Sequence, residues 1–198
     1  MILLVRHGET EWNVARRLQG RSDSPLTELG RRQAYAMGRL LRELMARDGA
    51  EGWRLISSPL GRTIATAEAI AAETGLTVEF DERIAEVDCG AWEGAPFPDL
   101  LKTTGGAMSR GLIFTAPGCE TYGQVQARIE SFLADLPAEP GRQVVLVSHG
   151  VAGRVLRGHY AGLPQEVAVE LEAPHGAVWR LSAGQVDRFD CEPLDADL

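Results

Sequence analysis

The chain has 198 residues, with 28 acidic and 20 basic side chains for a formal net charge of -8, and 44% of its residues are hydrophobic. That length suits one domain spanning 1–198, able to bury roughly 70% of its unfolded surface without a disulfide or a structural metal. No run of about 18 apolar residues occurs, which excludes a membrane helix, and the acidic balance argues against general nucleic-acid binding. Met1 opens directly into an apolar run with no signal-like segment, and Cys89, Cys119 and Cys191 form no CxxC pair; these features read as a cytoplasmic protein without a disulfide framework or zinc site.

In chain order, Ile2 to Val5 is a short apolar run ending at Arg6-His7-Gly8, the pattern of a strand buried on both faces. Thr27 then caps a helix whose apolar positions run from Leu29 to Leu44 and which stops near Gly49. Trp53 to Ser57 reads as a second strand, and Ser58-Pro59 as the N-cap and first position of a helix ending at Gly75. Thr77 to Phe80 follows as a strand, and Glu120 to Leu136 as a helix closed by Pro137. Val144 to Val147 forms a second run of four apolar residues, followed by Ser148-His149-Gly150 and a short helix. Val167 to Leu171, Ala177 to Leu181 and Val186 to Phe189 complete the strands. Strands alternating with helices predict an α/β fold, a three-layer α/β/α sandwich on a mostly parallel sheet. Residues 94–118, rich in Gly and Pro, read as one long irregular, lid-like segment.

An internal echo points to chemistry: Leu4-Val5-Arg6-His7-Gly8 and Leu146-Val147-Ser148-His149-Gly150 are nearly the same pentapeptide. Parallel α/β sheets bind ligands outside the carboxyl ends of their strands, so both imidazoles are expected to face one site. Arg6 is a poor core residue unless something anionic meets it, and Arg62 in a first helical turn opposes the positive end of the macrodipole. A bound anion relieves both penalties. Structural ion pairs relieve them equally well, so Arg62 alone is a weak signal.

The ordered blocks Leu4 to Asn13, Gln19-Gly20, Asp23 to Gly30, Ser57 to Thr63, Glu86 with Gly90 to Gly94, and Ser148-His149-Gly150 resemble the histidine phosphatase superfamily, in its phosphoglycerate-mutase-like branch. The resemblance implies that fold, with His7 as the nucleophile that forms a phosphohistidine. It implies that Arg6, Arg62 and His149 bind the phosphoryl oxygens, that Asn13 is a neutral donor to the same group, and that Glu86 is general acid and base. Gln19, Gly20 and Gly150 belong to the same substrate-binding set. Thr10 and Ser57 stand between hydrogen bonding to the site and ordinary loop roles, and His175 is open in the same way. His159 reads as a surface residue.

Within that resemblance the expected activity is hydrolysis of small phosphomonoesters by a metal-independent histidine phosphatase. The alternatives are a cofactor-dependent phosphoglycerate mutase and a non-catalytic phosphate- or phosphoprotein-binding module. Mutases carry a longer segment with basic residues that hold a substrate carboxylate. Here Ala95 to Gly118 is short, contains Gly105-Gly106 and Gly111, and offers only Lys102 and Arg110. Cys89 and Cys119 depart from the family pattern and could reshape the pocket wall. No cofactor and no metal are expected, and the partner is a small phosphorylated metabolite. A homodimer formed through the terminal strands is left open.

Overall fold

Ile2–Arg6 forms β1, with every residue from Ile2 to Val5 buried, because a strand with helices on both faces has no solvent side to keep polar. The structure, a computed structural model, describes residues 1–49, 51–103 and 110–191. After β1 come α1 (Glu11–Val14), α2 (Glu28–Asp48), β2 (Arg54–Ser57), α3 (Gly61–Thr74), β3 (Val78–Phe80) and α4 (Phe97–Thr103). The chain continues through α5 (Tyr122–Ala134), β4 (Val144–Ser148), α6 (Gly150–Tyr160), α7 (Gln165–Ala168), β5 (Ala177–Ser182) and β6 (Gln185–Asp190).

The six strands join one sheet in the order β3-β2-β4-β1-β5-β6. The first four run parallel, and β5 and β6 add an antiparallel edge. Successive side chains of a strand point to opposite faces, and the core divides accordingly. Leu3, Val5, Val145 and Val147 pack with Met37 and Leu41 of α2 and Ile70 of α3. Ile2, Leu4, Val144 and Leu146 pack with Ile129 and Phe132 of α5 and with Val155 of α6. Each fully buried Leu or Ile contributes roughly 1.5–3 kcal/mol, so the two clusters hold the central strands from both sides. The three-layer α/β architecture is the expected one.

Helix ends follow local chemistry. Thr27 Oγ1 accepts the Gly30 amide at 2.9 Å to start α2, and Gly75, at φ 74°, closes α3 in the left-handed conformation. Thr121 and Gln124 form a reciprocal capping box, so α5 begins at Tyr122 and not at Glu120.

Three expectations are corrected. Val167 to Leu171 is not a strand: Pro164 leads into α7, and the adjacent residues Ala168 and Val169 are both buried, which an alternating strand cannot achieve. Ser58 does not cap α3, which starts at Gly61 after an extended Leu60. Its Oγ lies 2.8 Å from His149 Nε2 instead, and Asp23 Oδ1, from a distant loop, accepts the Arg62 amide at 3.2 Å. The 94–118 segment is not wholly irregular, since it contains α4 and a 3-10 stretch at Arg110–Thr115. Gly105 and Gly106 lie outside the described residues.

Candidate active site

β1 and β4 are parallel neighbours in which Arg6 pairs with Ser148. Each strand therefore ends level with the other, and the next residue of each is a histidine. His7 and His149 are both buried, with ring centroids 5.3 Å apart. The turn after His7 requires glycine: a Cβ on Gly8 would lie 2.2 Å from the Gly30 carbonyl oxygen. Gly150 is confined on the other side, where a Cβ would come within 3.4 Å of the Arg6 guanidinium carbon.

The hydrogen bonds of His7 fix its tautomer. Its Nδ1 lies 2.8 Å from the Gly8 carbonyl, which can only accept, so Nδ1 carries the proton and Nε2 keeps a lone pair. Burial, reinforced by Arg6, His149, Arg62 and His175, holds its pKa well below the ordinary histidine value. The ring is neutral at pH 7, which a nucleophile requires. His149 is held neutral by burial and then by Arg62 and Arg6; its Nδ1 is buried without a partner among the described residues. His175 Nδ1 donates to the His7 carbonyl at 2.7 Å, and burial lowers its pKa to about 3.

A cavity of about 170 Å³ opens beside these rings, lined by Arg6, His7, Asn13, Arg62, Glu86 and Gly150 among others. Arg6 donates from Nη1 to the Ala173 carbonyl at 2.6 Å, leaving its buried Nε unpartnered. Burial lowers its pKa to about 10, so it remains a cation at neutral pH. Arg62 is 1% exposed and clamps a loop, donating to the Gly20 and Ser22 carbonyls at 2.8 Å each and to Asp23 Oδ1 at 3.1 Å. The unfavourable helix N-terminus expected at Arg62 is therefore already offset by Asp23.

Glu86 approaches from the loop after β3. Its Oε1 accepts the amides of Val87 and Ala152 at 3.0 and 2.9 Å, and Oε2 accepts that of Val151 at 3.1 Å. The first turn of α6 thus holds the carboxylate in the cavity wall. Asn13 Oδ1 accepts the Thr10 amide at 3.0 Å, which leaves the Asn13 NH₂ group as a donor for the cavity. Gln19 lines the cavity with a buried Oε1 that has no partner among the described residues. Gly20 lines it at φ 54°, where a Cβ would strike Glu93 and Cys89.

The expected site residues are not all equivalent. Thr10 is spent on the capping box with Asn13 and does not line the cavity. Ser57 Oγ donates to the Ser58 carbonyl at 2.9 Å, and this buried residue does not line the cavity. His149 and His175 stand beside His7, with ring centroids 5.3 and 5.5 Å from its own, and outside the cavity lining. His159 sits apart, beside Glu130 at 3.2 Å.

Two cations were missed. Arg17 and Arg154 line the same cavity and come from outside the Ala95 to Gly118 segment, whose own cations are Lys102 and Arg110. Lys102 is exposed, paired with Asp99 and absent from the lining; the Arg110 side chain lies outside the described residues. Arg154 falls four positions after Gly150 in α6, a spacing that returns to the same helix face and could have revealed it. Cys89 does reach the cavity wall, where burial raises its thiol pKa. Glu93, unassigned from sequence, binds the Arg21 and Ser22 amides at 2.7 and 2.9 Å and fixes the loop that Arg62 clamps.

Residues 2–189 match the family described as the histidine phosphatase superfamily, branch 1. The chain is 35% identical over 214 residues to the probable phosphoglycerate mutase GpmB of Salmonella paratyphi C, covering 98% of this chain and 97% of the relative. Among solved structures, mycobacterial glucosyl-3-phosphoglycerate phosphatase in complex with VO3 superposes with a TM-score of 0.78 at 27% identity, covering 96% of this chain and 99% of the other. YhfR of Bacillus stearothermophilus gives a TM-score of 0.76 at 29% identity, covering 96% and 95%.

Proposed function

Since the chain belongs to the histidine phosphatase superfamily, branch 1, whose relatives include phosphatases and mutases, we propose that it hydrolyses small phosphomonoesters through a phosphohistidine on His7. The observation that carries this reading is the bond from His7 Nδ1 to the Gly8 carbonyl, which leaves a neutral, nucleophilic Nε2 at a cavity lined by Arg6 and Arg62.

In the first half-reaction Nε2 attacks phosphorus and the bond to the ester oxygen breaks. Glu86, protonated, gives its proton to the departing oxygen. Arg6, Arg62 and the Asn13 amide bind the three peripheral oxygens, where charge accumulates in the transition state. His149, beside His7, supports the ring that receives the phosphoryl group. In the second half-reaction Glu86, now a carboxylate, takes a proton from water as the water oxygen attacks phosphorus. The P–N bond breaks, its electron pair returns to Nε2, and phosphate leaves. The direct test is trapping of an alkali-stable, acid-labile phosphoenzyme with labelled p-nitrophenyl phosphate, quenched in alkaline detergent. Wild type should trap label, and His7→Ala should trap none while losing at least about 10³-fold in kcat. A labelled, active His7→Ala enzyme would remove the nucleophile.

Arg17 and Arg154 favour a second reading, phosphoglycerate mutase, because cations beyond the phosphoryl pocket suit a substrate carboxylate. Hydrolysis is preferred because Leu18, Ile113 and Val151, which offer a glycerate no side-chain hydrogen bonds, line part of the remaining wall. The two are separated by supplying 3-phosphoglycerate with a trace of 2,3-bisphosphoglycerate. Interconversion outpacing phosphate release ten-fold would establish the mutase.

A further inference from the structure

Next to the cavity that holds His7 lies a second one, of about 210 Å³, and the two share Leu18, Ile113, Val151 and Arg154 as lining residues. The remaining wall of the second cavity comes from Trp92, Phe97, Leu100 and Leu112. Among the described residues Arg154 is its one charged lining side chain, and it stands where the two spaces meet. The apolar walls come from five separate segments: the loop after α1, the 3-10 turn at Gly90–Trp92, α4, the Arg110–Thr115 stretch and, through Val151, the first turn of α6. Leu100 and Ile113 are buried, whereas Trp92, Phe97 and Leu112 are half-buried.

We propose that this second cavity is the leaving-group subsite, and that it selects phosphomonoesters whose alcohol carries an apolar body, an alkyl chain or an unsubstituted ring, over polyhydroxylated ones. The inference rests on the hydrolase reading for its chemistry but on the two adjacent cavities, with four lining residues in common, for its specificity. A phosphoryl group placed between Arg6 and Arg62 must direct its ester oxygen past Glu86 and away from His7, since attack and departure are in line. Val151, whose amide holds Glu86, belongs to both linings, so the space beyond the carboxylate is the space that the apolar cavity continues. A sugar or glycerol body there would surrender water hydrogen bonds to Leu18, Leu100 and Ile113 without replacement. A hydrocarbon body loses nothing and removes apolar wall from water, worth roughly four-fold in affinity per buried methylene.

Arg154 fits the same assignment. Its Nε donates to the Leu171 carbonyl at 2.5 Å, which anchors the guanidinium at the seam, and its charge reaches Arg6 strongly enough to contribute to lowering that residue's pKa. Positive charge at the seam favours the anionic phosphoryl end on one side, while the stem of Arg154 adds hydrocarbon to the other.

The test uses the full-length protein and two non-hydrolysable probes, methylphosphonate and n-hexylphosphonate, with binding measured by calorimetry. The hexyl compound is expected to bind at least ten-fold more tightly. Phe97→Ala and Leu112→Ala should each weaken it three-fold or more while methylphosphonate binding stays within two-fold, which also shows that the variants are folded. Equal affinities for the two probes, including none for either, would overturn the subsite, as would variants that weaken both probes alike. Hydrolysis is then followed separately with n-hexyl phosphate and glycerol 3-phosphate, both primary alkyl esters with similar leaving groups. A ten-fold preference in kcat/KM for the hexyl ester is expected. Tight hexylphosphonate binding without turnover of either ester would sink the hydrolase reading and sustain the subsite. Turnover of both esters at equal kcat/KM would do the reverse.

Discussion

Asp23 and Arg62 are joined twice: Asp23 Oδ1 accepts the Arg62 backbone amide at 3.2 Å and its guanidinium Nη1 at 3.1 Å. One carboxylate thus caps the α3 amide and steers the buried cation that lines the cavity. Asp23→Ala should cost about 1 kcal/mol of stability, the usual value of a lost helix cap, and lower kcat/KM at least ten-fold. Asp23→Asn keeps an acceptor oxygen and should restore most of the stability. Urea denaturation alongside steady-state kinetics measures both, and an Asp23→Ala enzyme with wild-type kcat/KM would show that Arg62 needs no such guide.

Glu86 is held by three amides and lines the cavity, a geometry suited to moving one proton at a fixed position. Glu86→Gln should depress activity on alkyl phosphates about 10²-fold or more, and on p-nitrophenyl phosphate much less, because nitrophenolate departs without protonation. Equal losses on the two substrates would remove the general-acid role.

Stability should fall in mild acid. His7 and His149 have pKa values held well below 6.5, and that of His175 is about 3, so all three are neutral in the folded protein. Below pH about 6.5 the unfolded chain binds protons that the folded chain refuses, and each such histidine lowers stability by up to about 1.4 kcal/mol per pH unit. The loss begins near pH 6.5 and, for His175, continues down to its folded value near 3. His175→Asn retains a donor for the His7 carbonyl and removes one titrating group, so its stability should decline less steeply between pH 6.5 and 4.5. Urea midpoints across that range decide it, and parallel slopes for variant and wild type would contradict the assignment.

Metal removal should leave the rate alone. Arg6 and Arg62 line the cavity, and in the proposed mechanism they take the charge-neutralising part that a divalent ion plays elsewhere; among the described residues no group of three or more His, Cys, Asp or Glu side chains could hold a metal ion. Exhaustive dialysis against EDTA is expected to change kcat less than two-fold, and recovery of lost activity on adding zinc or magnesium would reverse the prediction.

The central strands were legible in the sequence because burial on both faces leaves an uninterrupted apolar run, as in Ile2 to Val5 and Val144 to Val147. His7 and His149 were legible from their matched contexts, and the register of Arg6 with Ser148 explains why the echo places them together. Glu86 was reachable only by resemblance, since the amides that hold it include those of Val151 and Ala152, far along the chain. Arg17 and Arg154 escaped notice because arginine is nearly the chain's sole basic residue, so neither stood out from the surface cations. Val167 to Leu171 misled through its alternation: Gly158 leaves room for Ala168 to pack against α6, and that contact fixes a helical turn.

Both histidines directly follow β1 and β4, adjacent strands in the middle of the sheet with a core cluster on each face. Amides in such strands exchange with solvent only when the whole molecule opens, so the wall that carries His7 should share the slowest-exchanging part of the chain. α4 and the Arg110–Thr115 stretch belong to none of these strands and can then fluctuate or diverge in evolution without loosening the strands that position the two histidines. Heating should therefore extinguish turnover in step with global melting, while discrimination among alcohols fades at a lower temperature.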